Sequence, residues 1–326
     1  MSLPILDVGP FLRGEPGSLN ALAQEMRAAC EGVGFYFLVN HGVAQQAIDQ
    51  TFHEAQRFHA LAMDEKRRVL QGDHYVGYVA PSQIRIDVGD GFDNKTNKAD
   101  VQAAYHVGRD YSPEHPLSKQ GVRYYVPQPW PHGIDGFKEN ISSYFTQMET
   151  LGRRLLPVYA AALDAPLDTF DAAFEAPLDY LRLIHYPKVE RLSEDQFGLG
   201  AHTDAGFLTF LPQTKVPGLE IMMPDGRWIA QPIVPGAYLV NAGQTLKRWS
   251  NNRFRSTPHR VISPTGAEDR YSIPFFFNPG YFARIEVISS CVDDQHPPAY
   301  PPITYGEHLV EYLANTYRPA PARAEA

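Results

Sequence analysis

The chain reads as a mainly β fold with flanking α-helices: a barrel or jelly roll preceded by an N-terminal α/β region. Three observations carry that reading. From Asp179 onward, short apolar runs are separated by Pro, Gly and Asn, the punctuation of a many-stranded antiparallel fold. Helical periodicity is confined to a few segments, chiefly the first 61 residues and one long stretch at 135–163. No internal repeat and no low-complexity linker divides the 326 residues.

In chain order, Leu3-Pro4-Ile5-Leu6-Asp7-Val8 opens as a short strand. A helix follows from Ser18, with Leu19, Leu22, Ala23, Met26, Ala29, Cys30 and Val33 recurring at three- and four-residue intervals. Gly32 and Gly34 stop it. Gly34 to Val39 then reads as a buried strand closed by the turn Asn40-His41-Gly42. Residues 44–61 form a second helix burying Ile48, Phe52, Ala55 and Phe58. Residues 72–120, rich in Gly, Asp, Asn and Tyr, read as an irregular cover of the kind that carries function. The long helix places Phe137, Ile141, Tyr144, Phe145, Met148, Leu151, Leu155 and Val158 on one face.

The later strands are expected at Tyr180–Tyr186, Gly206–Leu211, Gly218–Met222, Ala237–Ala242, His259–Ile262 and Tyr271–Phe277. A last helix packs Leu309, Tyr312 and Leu313, and Pro319–Ala326 is expected to fray. The pattern divides the chain into an N-terminal region at 1–120, a scaffold helix at 121–175, a β core at 176–285, and a C-terminal loop and helix at 286–326.

Composition narrows the function. Hydrophobic residues make up 44% and charged residues 20%, ordinary for a globular chain able to bury a core. A formal charge of -8 lacks the basic excess that nucleic-acid binding needs. Two cysteines, Cys30 and Cys291, give no disulfide framework and fit a reducing compartment. The N-terminus has no basic start followed by an apolar run, and no stretch reaches the roughly 18 apolar residues that span a bilayer. The expectation is a cytoplasmic protein acting on a small molecule, as a monomer or weak homo-oligomer, with no nucleic-acid or membrane partner.

Chemistry concentrates in two places. In His202-Thr203-Asp204, residues i and i+2 of a strand point the same way, so an imidazole and a carboxylate converge. His259 lies 54 intervening residues beyond Asp204, at the start of another strand that a barrel can bring opposite. Two His and one carboxylate leave open positions on a metal, the ligand set of non-haem Fe(II) oxygenases. Zinc hydrolases use the same residue types. The second place is Arg270-Tyr271-Ser272, eleven residues past His259. Arg270 and Ser272 share a face, and a guanidinium fork with a neighbouring hydroxyl matches the distal carboxylate of 2-oxoglutarate. Pro274 and Phe276 continue that face as an apolar wall.

With these motifs in place, the chain resembles the isopenicillin N synthase-like family of 2-oxoglutarate- and Fe(II)-dependent oxygenases over nearly its whole length. The resemblance rests on Pro4-Ile5-Leu6-Asp7, Gly34-Phe35-Tyr36, Asn40-His41-Gly42-Val43 and Gly77-Tyr78, and on Lys98 through Tyr105. It continues through Leu181 to Pro187, His202-Thr203-Asp204, Ser250 through Ser256, His259-Arg260-Val261 and Arg270-Tyr271-Ser272. It implies a double-stranded β-helix core, with His202, Asp204 and His259 as catalytic iron ligands. It further implies Arg270 and Ser272 as 2-oxoglutarate anchors, with Tyr186 as a further donor to the co-substrate. The implied reaction takes O₂ and 2-oxoglutarate, releases succinate and CO₂, and hydroxylates or desaturates the substrate. The chain departs from the family pattern at Ile184, Gln244, Ala103 and Asn252, where Asn, Asp, Glu and Gly are frequent.

Tyr75, Tyr78, Arg85, Phe92 and Tyr105 in the irregular cover, with Phe276 and Pro274, are the candidate substrate-pocket residues. His41 reads as structural, His53 and His59 as solvent or core residues, and His185 as pointing away from the co-substrate. Three other chemistries fit the same residues. One is an Fe(II) oxidase that dispenses with 2-oxoglutarate and holds its substrate carboxylate with Arg270 and Ser272. The others are a zinc hydrolase and a non-catalytic metabolite-binding module.

Overall fold

The computed structural model of the chain describes residues 2–81, 84–86, 100–189, 197–265 and 268–319. Among these, two sheets face one another. The larger runs in the spatial order Ile5–Asp7, Phe35–Val39, Tyr238–Ala242, Leu208–Pro212, Phe275–Phe277, Tyr180–Tyr186, Ala103–Gly108 and Gly77–Val79, with Arg270–Ser272 also paired to Tyr180–Tyr186. The smaller is Trp228–Ala230, Leu219–Met222, His259–Val261 and Leu199–His202. Every pairing in the two sheets except that of Ile5–Asp7 with Phe35–Val39 is antiparallel. Strands that leave one sheet and return in the other make the double-stranded β-helix that the family resemblance implies.

Strand parity decides which residues face the barrel. In Tyr180–Tyr186, Leu181 and Leu183 join the large core under the helices, whereas Ile184 and Tyr186 pack inward with Ala104, Leu199 and Val261. The outer face is covered by the helices Ser18–Gly32, Gln45–Ala60 and Phe137–Ala162. The last lies so close to the sheet that a Cβ on Gly152 would meet the Phe277 ring at 2.6 Å. Only glycine permits that approach. Phe145, Met148, Leu151 and Leu155 fill the same interface.

Two expectations need correction. Residues 72–120 are not wholly irregular: Gly77–Val79 and Ala103–Gly108 are strands of the large sheet, and Ile84–Ile86 pairs with Tyr317–Pro319. Ala103 through Val107 are all buried, so no polar alternation marks that strand in sequence. Tyr271–Phe277 is also two strands, Arg270–Ser272 and Phe275–Phe277, because Pro274 has no N–H for the ladder. Asn252 adopts φ 68°, a left-handed conformation that Asn accepts in place of Gly.

Candidate active site

The metal constellation is assembled by the small sheet. His259 pairs directly opposite His202 across two antiparallel strands, which sets the rings side by side with centroids 4.3 Å apart. Each ring is oriented through Nδ1, which donates to a backbone carbonyl: Gly200 O at 2.8 Å for His202 and Thr257 O at 3.3 Å for His259. Nε2 of each ring is therefore left unprotonated and turned toward Asp204, at 3.8 Å and 3.7 Å from Oδ1.

Asp204 lies just past the end of Leu199–His202, and its other oxygen is fully engaged. Oδ2 accepts from Thr209 Oγ1 at 2.5 Å and from Asn241 Nδ2 at 2.7 Å. The three candidate ligand atoms lie within 4.8 Å of one another, a spacing that suits one ion with ligand bonds of about 2.0–2.2 Å. Burial, reinforced by the neighbouring imidazole, pushes His202 down to about 3. Burial works to raise Asp204, but the two imidazoles and the Asn241 and Thr209 donors outweigh it and hold the carboxyl below its ordinary value. Neutral imidazole and ionised carboxylate are the forms a divalent metal requires.

The anion site is built by the large sheet. Arg270 is 3% exposed, and its Nε and Nη1 have no hydrogen-bond partner among the described residues. Its guanidinium lies over the ring of its cross-strand partner Tyr186, 4.9 Å from the centroid, and the buried Ser272 follows on the same face. Gly218, at φ 151°, makes room: a Cβ there would sit 2.7 Å from Ile262 O and 3.5 Å from Arg270 Cδ. A buried guanidinium with an open edge is a fork shaped for a carboxylate. This is the fit expected of 2-oxoglutarate.

Beside the site is a cavity of about 180 Å³. Tyr75 lines it, as does Tyr180, whose ring stacks on Phe276 at 4.3 Å and 14°. Phe276 and Pro274 are buried behind that lining and do not themselves line the cavity; Pro274 O accepts from Arg182 N at 3.0 Å. Tyr78 and Tyr105 are corrections, since neither lines the cavity. Tyr105 is on the helix-facing parity of its strand, stacked on Phe58 at 4.3 Å with its hydroxyl donating to Pro129 O. Tyr78 pairs with it and packs against Phe58 and Lys66. The side chain of Arg85 and all of Phe92 lie outside the described residues.

The other histidines fall as expected. His41 bridges Gly236 O and Val43 N, His59 is buried against Leu183 O, and His185 turns outward to Asp269. Sequence reading misses Thr209 and Asn241, which orient Asp204, and Arg182, Gln102 and His106, which line the cavity. Inward parity of polar residues in otherwise apolar strands is the signal that could have found them. Gln244, one of the departures from the family pattern, donates to Thr203 Oγ1 at 3.0 Å. The C-terminal helix Tyr305–Thr316 clasps the same loop, with Tyr312 donating to Thr203 O and His308 Nε2 to Ala205 O.

Residues 178–279 match the model of the 2OG-Fe(II) oxygenase superfamily, and residues 3–133 match that of the non-haem dioxygenase in morphine synthesis N-terminal region. The 2-oxoglutarate-Fe(II) type oxidoreductase hxnY of Emericella nidulans is 31% identical over 99% of this chain and 91% of that protein. Kihadalactone A synthase LFS of Citrus sinensis is 32% identical over 88% and 86%. Among solved structures, a full-length Neurospora crassa protein in complex with alpha-KG and thymine superposes with TM-score 0.83 at 29% identity, covering 96% of each chain. The chain belongs to the 2-oxoglutarate- and Fe(II)-dependent oxygenases. It is an oxidoreductase that couples decarboxylation of 2-oxoglutarate to the oxidation of a small molecule by O₂.

Proposed function

We propose that His202, Asp204 and His259 hold the Fe(II), and that Arg270, Ser272 and Tyr186 hold the distal carboxylate of 2-oxoglutarate. In this assignment the cavity beside them receives the prime substrate. The observation that carries it is the buried Arg270 fork, whose unfilled Nε and Nη1 lie on the face that runs on through Ser272 toward Phe276. Bound Fe(II) would supply activation of O₂. The chain's own part is to orient both imidazoles through Nδ1, hold Asp204 ionised, and keep water from the oxidant with the aromatic wall.

The substrate is a small molecule, consistent with a cavity of about 180 Å³ and with the thymine bound by the Neurospora crassa protein. Hydroxylation is the outcome we favour, with desaturation as the variant. None of the described helices is long and apolar enough to cross a membrane, and both cysteines are buried and unpaired. We place the enzyme in the cytoplasm, as a monomer or weak homo-oligomer. We also retain the four-part division at 1–120, 121–175, 176–285 and 286–326.

The test is succinate release by anaerobically purified, Fe(II)-loaded protein given 2-oxoglutarate and then O₂, with 2-oxoglutarate binding titrated on the same sample. Slow release, abolished in His259→Ala and Arg270→Ala, is the expected result. Absence of both succinate and 2-oxoglutarate binding would overturn the residue assignment.

A further inference from the structure

The last helix, Tyr305–Thr316, brings two neighbouring stripes of side chains to the site. Leu309 and Leu313 form one. Leu313 lines the substrate cavity, and Leu309 lines a smaller one of about 40 Å³ that shares Tyr75 and Tyr180 with it. His308 and Tyr312 form the other, and both end on the loop that carries Asp204. Residues four apart lie one above the other on a helix, so each pair acts as a unit.

Asp204 stands just past the end of the strand Leu199–His202, and its backbone is set by donors from other elements. Thr203 O, the carbonyl of the peptide that joins Thr203 to Asp204, accepts from the Tyr312 hydroxyl. Ala205 O accepts from His308 Nε2 at 3.2 Å and from Thr245. Asp204 O accepts from Gln244 N at 2.7 Å. Thr209 and Asn241 hold one carboxylate oxygen, but these peptide planes decide the direction in which the side chain leaves the backbone. A metal ligand must be held within about 0.5 Å of its productive place.

The helix is seated at both ends. Thr304 N donates to Glu307 Oε2 at 2.9 Å and Glu307 N to Thr304 Oγ1 at 3.2 Å, a reciprocal cap. A Cβ on Gly306 would meet the Tyr281 ring at 2.4 Å, so this end has no room to slide toward it. Beyond the far end, Tyr317–Pro319 pairs with Ile84–Ile86, which lies against Leu199–His202. A packed helix with one stripe in the cavity and the next on the ligand loop cannot shift at one without shifting at the other.

We propose that Tyr312 and His308 are positioning residues for the metal ligand Asp204, and that Leu313 makes this positioning answer to whatever fills the substrate cavity. The proposal rests on the assignment of Asp204 as a ligand and of the cavity as the substrate site. Anaerobic titration of the metal-free full chain with Fe(II) tests it. Tyr312→Phe is expected to weaken Fe(II) by about tenfold. His308→Leu should do likewise, and His308→Gln, which keeps a donor, should recover most of that loss. The two positions are read independently, so one unfolded variant leaves the test standing. Glu307→Ala is the comparison, because its carboxylate is engaged by Thr304 in the cap of the same helix. It should lower the melting temperature at least as much as Tyr312→Phe while leaving Fe(II) affinity within about twofold. Leu313→Trp stands in for an occupant of the cavity. It should change Fe(II) affinity several-fold in the wild-type chain and by less than about twofold in the Tyr312→Phe, His308→Leu background.

Fe(II) affinity unchanged in Tyr312→Phe and His308→Leu, or lowered equally by Glu307→Ala, would overturn the positioning role. Equal shifts from Leu313→Trp in both backgrounds would overturn the coupling to the cavity. If wild type binds Fe(II) and His259→Ala does not, either failure belongs to the helix alone. If His259→Ala binds Fe(II) as tightly as wild type, the metal assignment beneath it fails as well.

Discussion

The side-chain amide of Asn241 donates to Oδ2 of Asp204 at 2.7 Å, leaving Oδ1 as the carboxylate oxygen turned to both imidazoles. Together with Thr209, it converts a two-oxygen side chain into a single-atom ligand of fixed direction. Asn241→Ala is therefore expected to lower Fe(II) affinity by about 10–100-fold, the range seen when partners of a metal ligand are removed. An anaerobic Fe(II) titration measures this. An unchanged affinity would mean that Thr209 alone sets the carboxylate.

Arg270 is the group on which co-substrate binding turns. A charge-assisted hydrogen bond contributes roughly 1.5–3 kcal/mol, so Arg270→Ala should weaken 2-oxoglutarate by at least about 10–150-fold. Arg270→Lys should recover only part of that, since an ammonium keeps the charge but lacks the planar fork. Titration of 2-oxoglutarate under anaerobic conditions reads both variants, and a lysine variant as tight as wild type would refute the bidentate geometry.

Gly218 gives the same site a backbone test. A methyl group there meets Ile262 O at 2.7 Å, on a residue whose φ of 151° resists any side chain. Gly218→Ala is expected to cost about 1–3 kcal/mol in unfolding free energy. It should also weaken 2-oxoglutarate more than Fe(II), because the added methyl group comes into contact with the Arg270 stem at 3.5 Å while the Ile262 carbonyl beside it is pushed aside. Equal losses for metal and co-substrate would contradict that order.

His59 gives the fold a dependence on pH away from the metal. Burial pushes its pKa down to about 3; Leu183 O opposes the shift, while His185 and Lys66 add to it. The folded value is depressed below the ordinary 6.5, so between those two pH values the unfolded chain binds the extra proton. Stability therefore falls as pH drops through that window, by up to about 1.4 kcal/mol per pH unit from this residue. In urea unfolding at pH 7 and pH 5, His59→Gln should show a smaller difference than wild type. A difference of equal size would assign the acid sensitivity elsewhere, with the buried His106 as the next candidate.

The metal and anchor residues are legible because each lies in a short segment whose own parity aims it. His202 with Asp204 and Arg270 with Ser272 are i, i+2 pairs, and such pairs need no knowledge of the partner strand. Asn241 and Thr209 cannot be read that way. Their role depends on Tyr238–Ala242 lying beside Leu208–Pro212 in the register that sets Asn241 opposite Thr209. Tyr105 misleads for the complementary reason. Its strand is buried on both faces, so no parity is visible, and an aromatic in an apparent loop resembles a pocket wall. Arg182 lies in plain view within a recognised motif, but only its pairing with His106 puts it on the cavity side.

The open edge of the buried Arg270 makes the empty protein less stable than its packing allows. An apolar side chain at that position would relieve the desolvated cation and firm up the resting fold while abolishing co-substrate binding. Each catalytic cycle ends with succinate leaving, which returns the chain to this uncomfortable state until another 2-oxoglutarate arrives. The enzyme's lifetime in a cell should thus follow the supply of a central metabolite. A protein starved of 2-oxoglutarate would be cleared by proteolysis sooner than the same protein kept loaded.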